Sequence, residues 1–483
     1  MHRRAEISSN DLRRLTRRAW LATMSGSLAS ICAGSLLAEE QAPTERAAGS
    51  LSALHHPAKA KRVIFLCQSG APSQIDLFDP KPTLLERAGE ELPASVRKGQ
   101  RLTTMTSKQT SLPLIGSSFT FEKHGECGRS LSELLPYTSK IVDKLCFIDS
   151  MHTDAINHDP AITLLQTGHQ QPGRPSLGSW VSYGLGTLRA ELPSFVVMLS
   201  GGKPGDQPLY GRLWSSAFLP GKHQGVQLRG GREPVLYLSN PPGIDRAARR
   251  AMVDTMAALD RLGSPRLDPD IESRIDQYEL ALGMQDAIPK VADFSGETQE
   301  TLDLYGPDVK TPGTFAANCL LARRLVENGV RFVQLYHRDW DHHTKIDSRI
   351  QETSLQTDQP SAALVADLAR RGLLEDTLVI WGGEFGRTSY SQNDPEGGSF
   401  GRDHHPRCFS IWMAGGGVRP GYTLGKTDEF SYNIIDSPVH VHDLQATILH
   451  LLGIDHLQLT YRTQGRDFRL TDVAGEVVTK VLG

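Results

Sequence analysis

The segment Leu378-Val379-Ile380-Trp381-Gly382-Gly383-Glu384-Phe385-Gly386-Arg387-Thr388 changes character abruptly. Four apolar residues give way to two glycines, then to a carboxylate and a guanidinium. An apolar run this short, rich in β-branched and aromatic residues and closed by glycine, reads as a strand rather than a helix. It is continuous rather than alternating, as expected of a strand buried on both faces. The pattern recurs. Val63–Cys67 leads into Gln68-Ser69-Gly70-Ala71-Pro72-Ser73-Gln74-Ile75-Asp76, Leu145–Ile148 into the stretch from Asp149 to Asp159, and Phe332–Tyr336 into the stretch from His337 to His343. Phe195–Leu199 and Cys408–Met413 are runs of the same kind. Between them lie helical patterns, Thr314–Asn328 followed by Gly329 and Ser361–Arg371 followed by Gly372. Each glycine suits the left-handed position just past a helix. Strands alternating with helices predict an α/β fold, with a mostly parallel sheet and helices on both faces.

The composition agrees. The chain has 483 residues, 39% hydrophobic and 22% charged, which is a globular rather than a disordered balance. Lys+Arg at 52 against Asp+Glu at 55 leaves no basic surplus, so the electrostatic footprint of a nucleic-acid binder is missing. Residues 1–20 carry six arginines, and an apolar small-residue run from Leu21 to Leu37 ends at Ala38. That is a charged region, an apolar region and a small-residue cleavage zone. Arg17-Arg18 at the junction resembles a twin-arginine export signal, so residues 1–38 are expected to direct the chain to the periplasm or beyond, with no stable membrane span after cleavage. Residues 39–58, rich in Ala, Glu, Ser and Pro, read as a mobile linker. Residues 59–483 read as one domain, with a charged, helix-rich insertion at about 243–310. Past the signal five cysteines remain, Cys67, Cys127, Cys146, Cys319 and Cys408, too few for a disulfide scaffold and mostly in apolar surroundings that suit inert buried thiols.

In an open α/β sheet, ligands bind beyond the carboxyl ends of the strands. Here those ends collect the chemistry. They hold Asp76, His158, Asp341, His343, Glu384 and Arg387, and the following loop adds Arg402, His404 and His405. Asp341 and His343 lie two apart, so in extended chain they face the same way. Imidazole plus carboxylate, without clustered cysteine, suits zinc or manganese, with calcium possible where carboxylates dominate. Pro160 suits a first helical turn and Asp159 an N-cap, which places His158 at a helix N-terminus, where anions are favoured. His440 and His442, just before a helix, read as structural.

The 378–388 run, the Trp340-Asp341-His342-His343 segment and the Ser69-to-Pro82 segment resemble an uncharacterised bacterial family, domain of unknown function 1501, over nearly the whole chain past the signal. That family is similar to the alkaline phosphatase superfamily, which includes the sulfatases. The resemblance implies a three-layer alkaline-phosphatase/sulfatase-like fold and one or two divalent ions. It matches a strand-one metal aspartate to Asp76, a middle pair to Asp341 and His343, a late Asp-His-Gly turn to Glu384-Phe385-Gly386, and a last metal histidine to His404 or His405. The sulfatase frame C-x-P-S-R-A-x-L-L-T-G falls on His158-Asp159-Pro160-Ala161-Ile162-Thr163-Leu164-Leu165-Gln166-Thr167-Gly168, so the nucleophile position holds His158. The helix Asp443 to Asp455 resembles the sulfatase closing helix.

The expectation is an exported metal-dependent hydrolase of sulfate or phosphate esters, whose substrate is a small anionic ester or a sulfated or phosphorylated glycan. Asp76, Asp341, His343, Glu384, His404 and His405 are its candidate ligands, His158 contacts the anion or completes the metal shell, and Arg387 or Arg402 pairs with the anion's oxygens. Thr153 and Thr163 are fallback hydroxyl nucleophiles. Without cysteine or serine at 158, the alternative is a non-catalytic binding protein for anionic glycans.

Overall fold

The computed structural model describes residues 49–483, apart from 202–208, 231–233, 236–237, 242, 264–268, 394–398 and the side chains of 259–272. The expected export signal, and residues 39–48 of the expected linker, lie outside these. From Gly49 onward the chain forms one compact unit. The described end of the expected linker is hydrogen-bonded to the domain: the Ser50 N–H donates to the Tyr183 carbonyl at 2.7 Å, and the His55 N–H to the Gly453 carbonyl at 3.0 Å. Residues 50–56 of the expected linker therefore carry backbone hydrogen bonds to the domain. The linker's polar composition hid backbone hydrogen bonds made to distant segments.

The centre is a nine-stranded sheet. Its strands are β1 (Arg62–Gln68), β2 (Leu145–His152), β3 (Phe195–Ser200), β4 (Val226–Leu228), β5 (Phe332–His337), β6 (Thr377–Gly382), β7 (Phe409–Ala414), β8 (Tyr422–Leu424) and β9 (Val439–His440). The order is β8-β2-β7-β6-β1-β5-β3-β4, with β9 beside β2. All pairs are parallel except those made by β7. β1 lies at the middle. Val63 is in register with Phe332 on one side and Leu378 on the other, so the carboxyl ends of β1, β5 and β6 come out level.

The continuous apolar runs divide by residue parity, as side chains on a pleated strand must. Ile64, Leu66, Val333, Leu335, Val379 and Trp381 face one core, packed by α3 (Phe315–Glu327) and α4 (Ile346–Arg370). Val63, Phe65, Cys67, Phe332, Leu378 and Ile380 face the other, packed by α1 (His158–Thr167), α2 (Leu177–Leu185) and α5 (Val441–Leu451). Helix, sheet and helix make three layers. Thr314 caps α3, its side chain accepting from Ala317 N–H. α4 begins fifteen residues before the expected Ser361 and runs through Pro360. Ile346, Ile350, Thr353 and Thr357 bury one stripe of that extra length, although the segment is too polar to announce it. Helices also occupy the 243–310 region, at Arg246–Gly263, Pro269–Ala292 and Gln299–Tyr305.

A two-stranded antiparallel ribbon, β10 (Gly386–Gln392) and β11 (Gly401–His405), stands off the main sheet. The second of these segments reads as a loop in the sequence. Four of the described cysteines are buried and Cys127 is exposed. Among the described residues no helix is long and apolar enough to cross a membrane.

Two buried histidines that take no part in the converging cluster described below set an acid limit. Burial pushes His223 and His337 down to about 4. Both are neutral in the folded chain and titrate near pH 6.5 when unfolded. Between those values the unfolded chain binds more protons. Stability is therefore complete above about pH 6.5 and falls as the pH drops towards 4. Urea unfolding at pH 5 is expected to show a loss of about 4 kcal/mol from these two rings relative to pH 7.5. Equal midpoints at the two pH values would contradict buried, neutral imidazoles.

Candidate metal centre

Four side chains converge beyond the carboxyl ends of β1, β5 and β6. One ligand atom each from His158, Asp341, His343 and His404 lies within 4.8 Å of the others. The focus is Asp341 Oδ1, which is 2.8 Å from His343 Nε2, 3.2 Å from His158 Nε2 and 3.7 Å from His404 Nε2. His343 Nε2 and His404 Nε2 are 3.0 Å apart.

The other face of each ring explains this aim. His158 Nδ1 lies 2.5 Å from Glu384 Oε1, His343 Nδ1 2.5 Å from Gln392 Oε1 and His404 Nδ1 2.8 Å from the Ile156 carbonyl. All three partners are acceptors, so each Nδ1 carries the proton and each Nε2 is left with a lone pair. Three lone pairs and a carboxylate oxygen facing one point repel each other unless a cation sits among them. A ligating histidine with its far nitrogen tied to an oxygen acceptor is the arrangement that fixes the tautomer for metal binding. The residues present therefore fit a divalent ion. Three imidazoles and one carboxylate suit zinc or manganese, whereas calcium takes oxygen ligands.

Burial opposes charge on His158, but hydrogen bonds to Asp341 and Glu384 outweigh it and raise its pKa. Burial would also raise the Asp341 carboxyl, yet Arg387 and the three histidines hold it far below the usual carboxylate range. Burial, with the charges of Arg387 and the other two rings, lowers His404 to about 4.

Local structure places each group. His158 opens α1 with Asn157, not Asp159, as the N-cap. Its ring turns onto Glu384 and Asp341 instead of facing an anion at the helix end. Asp341 and His343 sit on the loop after β5, which Asp339 enters with φ of +81°. Trp340 fixes that loop by donating from Nε1 to Gln68 Oε1 at 2.8 Å, and Arg349 by donating to the Asp341 carbonyl at 3.1 Å. His404 comes from β11, whose pairing with β10 shifts register between Arg402 and His404. In a regular strand these two would share a face; a bulge at that point re-aims the side chain. Arg402 thus points to Asp76 and His404 to the centre.

Gly70, with φ of +108°, crosses directly beneath the loop, and a Cβ there would lie 2.5 Å from Asp341 N. Gly70→Ala is expected to displace Asp341 and weaken zinc binding at least tenfold, measured by titration of the metal-free chain. Unchanged affinity would show that the loop yields without moving the carboxylate.

Several expected ligands lie elsewhere. Asp76 is not one. Both its oxygens are taken by Arg402, at 2.8 and 3.1 Å, and Ser73 Oγ donates to it at 2.5 Å. Arg402 accordingly holds a buried ion pair and is not available to an anion. His405, next to His404 in sequence, has its ring on the far side of the strand: Nε2 lies 2.7 Å from the Tyr432 carbonyl, and the ring packs on Tyr432. Glu384 stands behind His158 rather than beside it in the ligand group. Arg387 does reach the centre, with Nη2 2.7 Å from Asp341 Oδ1, but spends its other donors on backbone carbonyls. Thr163 Oγ1 donates to the Asp159 carbonyl inside α1, so that hydroxyl is occupied. Gln392 and Ile156 went unread, because an amide side chain and a backbone carbonyl carry no motif.

Solved structures to which the chain is similar include a sulfatase from a Pseudoalteromonas species, at 11% identity over 82% of this chain and 68% of that one, with a TM-score of 0.34. An alkaline phosphatase from the Antarctic bacterium TAB5 gives 11% identity over 82% and 98%, with a TM-score of 0.29. A phosphonate monoester hydrolase from Silicibacter pomeroyi gives 12% over 66% and 68%, with a TM-score of 0.31. No curated relative matches. The family described as "Protein of unknown function (DUF1501)" matches residues 60–482, and the chain belongs to it.

Proposed function

We propose that this chain is an exported, metal-dependent hydrolase of sulfate or phosphate esters. The observation that carries the reading is the set of three imidazole Nε2 atoms and the Asp341 carboxylate converging at the carboxyl edge of a parallel sheet, where such folds bind ligands. A divalent ion held there supplies Lewis acidity towards an ester oxygen. The likeness of the 158–168 frame and of the closing helix to sulfatase sequences supports the ester class. The arginine-rich leader supports export.

The chain's own groups have separable tasks. His158, His343 and His404 present lone pairs. Glu384, Gln392 and the Ile156 carbonyl hold the far ring nitrogens in the donor tautomer. Arg387 keeps Asp341 ionised. Phe385 packs against the rings of His158 and His404, with centroids at 4.8 and 4.7 Å, and shields one side of the centre from water. One observation favours a second reading, an anion-binding protein without turnover: the position of the superfamily's nucleophile holds an imidazole, and that imidazole is turned to the ligand group.

A panel of aryl sulfates and of phosphate mono- and diesters, assayed with added zinc or manganese and again after chelation, separates the two. Turnover abolished by chelator and restored by metal is expected. Tight anion binding without turnover at any metal loading would replace the hydrolase with the binding protein.

A further inference from the structure

We infer that this centre takes one divalent ion, not two, and that Arg387 provides a second, permanent positive charge beside it. The inference rests on the four converging groups being metal ligands. Arg387 is 1% exposed. Its Nε donates to the Ala71 carbonyl and its Nη1 to the Arg402 carbonyl, both at 3.0 Å, and its Nη2 to the Gly70 carbonyl. Nη2 also reaches Asp341 Oδ1 at 2.7 Å. Carbonyl oxygens gathered around a carboxylate make a cation site. Here a side chain fills it, and a guanidinium cannot give up its proton in a protein.

A second ion would need further anionic ligands, and the candidates are committed. Asp76 gives both oxygens to Arg402. Glu384, fully buried, lies against His158 Nδ1 at 2.5 Å and accepts from the Gly70 N–H at 3.0 Å. Among the described residues no second group of three ligating side chains forms. Glu384 is therefore a positioning residue. It acts on the ion through His158, by holding the tautomer that leaves Nε2 free to ligate.

Titration of the metal-stripped chain with Co²⁺, followed by visible absorption and by elemental analysis after dialysis, tests this. One equivalent is expected, with a single end point. Glu384→Gln keeps an oxygen acceptor for His158 and should still bind one equivalent, less tightly. Glu384→Ala should lose roughly 10–100-fold in affinity. Two equivalents in the wild type would overturn the single-ion assignment while leaving the metal reading intact. Zero equivalents would defeat the metal reading itself, and this inference with it. A folded Glu384→Ala variant that binds Co²⁺ as tightly as wild type, with the same spectrum, would overturn the positioning role.

Discussion

His343→Ala is expected to lower affinity for the divalent ion by more than about 100-fold, beyond the range seen when only an outer-shell partner is lost. Ester turnover should fall with it, and the fold should remain. The expectation follows from where the ring sits. His343 has a side chain 16% exposed, on a loop, with Nε2 2.8 Å from Asp341 Oδ1 and 3.0 Å from His404 Nε2. Its removal takes one of the four converging groups from the centre and leaves no buried charge behind. Asp341→Ala is a poorer test of the same point, since it strips Arg387 of its carboxylate partner and confounds binding with stability. Metal content of the purified variant, read beside its circular dichroism and melting temperature, measures the effect. A His343→Ala protein that retains a full equivalent of metal would remove this residue from the centre.

Asp76→Ala should do the reverse, unsettling the fold and leaving the metal in place. Breaking a buried ion pair by removing one partner costs about 3–5 kcal/mol, because the remaining charge stays buried without its counterion. Arg402 is fully buried and cannot swing out. It is also bound to the carbonyls of Ile115, Thr388 and Gly116 at 3.1, 3.1 and 2.8 Å. The pair clamps the loop after β1 to β11, so part of the cost falls on the ribbon that carries His404. Urea unfolding should show the loss directly, and metal titration under stabilising conditions should still reach one equivalent. Near-wild-type stability together with lost metal would make Asp76 a ligand after all.

These two residues show what the sequence could and could not carry. Six apolar runs were legible as strands, because burial on both faces removes polar residues from them. The rule that ligands gather beyond strand ends pointed to the edge where His158, Asp341, His343 and His404 converge. Asp341 and His343 were legible as a pair from their spacing alone. Asp76 was not separable from a ligand, since nothing local to Ser73-Gln74-Ile75-Asp76 reveals an arginine 326 residues away. His404 and His405 could not be told apart, because the register shift between Arg402 and His404 is a property of the paired strands. Glu384 was read as a ligand, and the structure sets it behind His158, against Nδ1. Whether a carboxylate meets an ion or meets the histidine that meets the ion depends on which ring nitrogen it faces, and only coordinates define that. α4 was cut short at Pro360 because a proline inside a helix is locally unfavourable. Packing of the preceding turns overrides it.

The most direct test of the account is anomalous diffraction at the zinc or manganese edge, from crystals of the full chain past residue 38 grown with that ion. The account predicts one strong peak per chain, within coordination distance of the Nε2 atoms of His158, His343 and His404 and of the Asp341 carboxylate. Density for Glu384 should remain on His158 Nδ1. A peak ligated instead by Asp76, Glu384 or His405, or no peak at saturating metal, would contradict it.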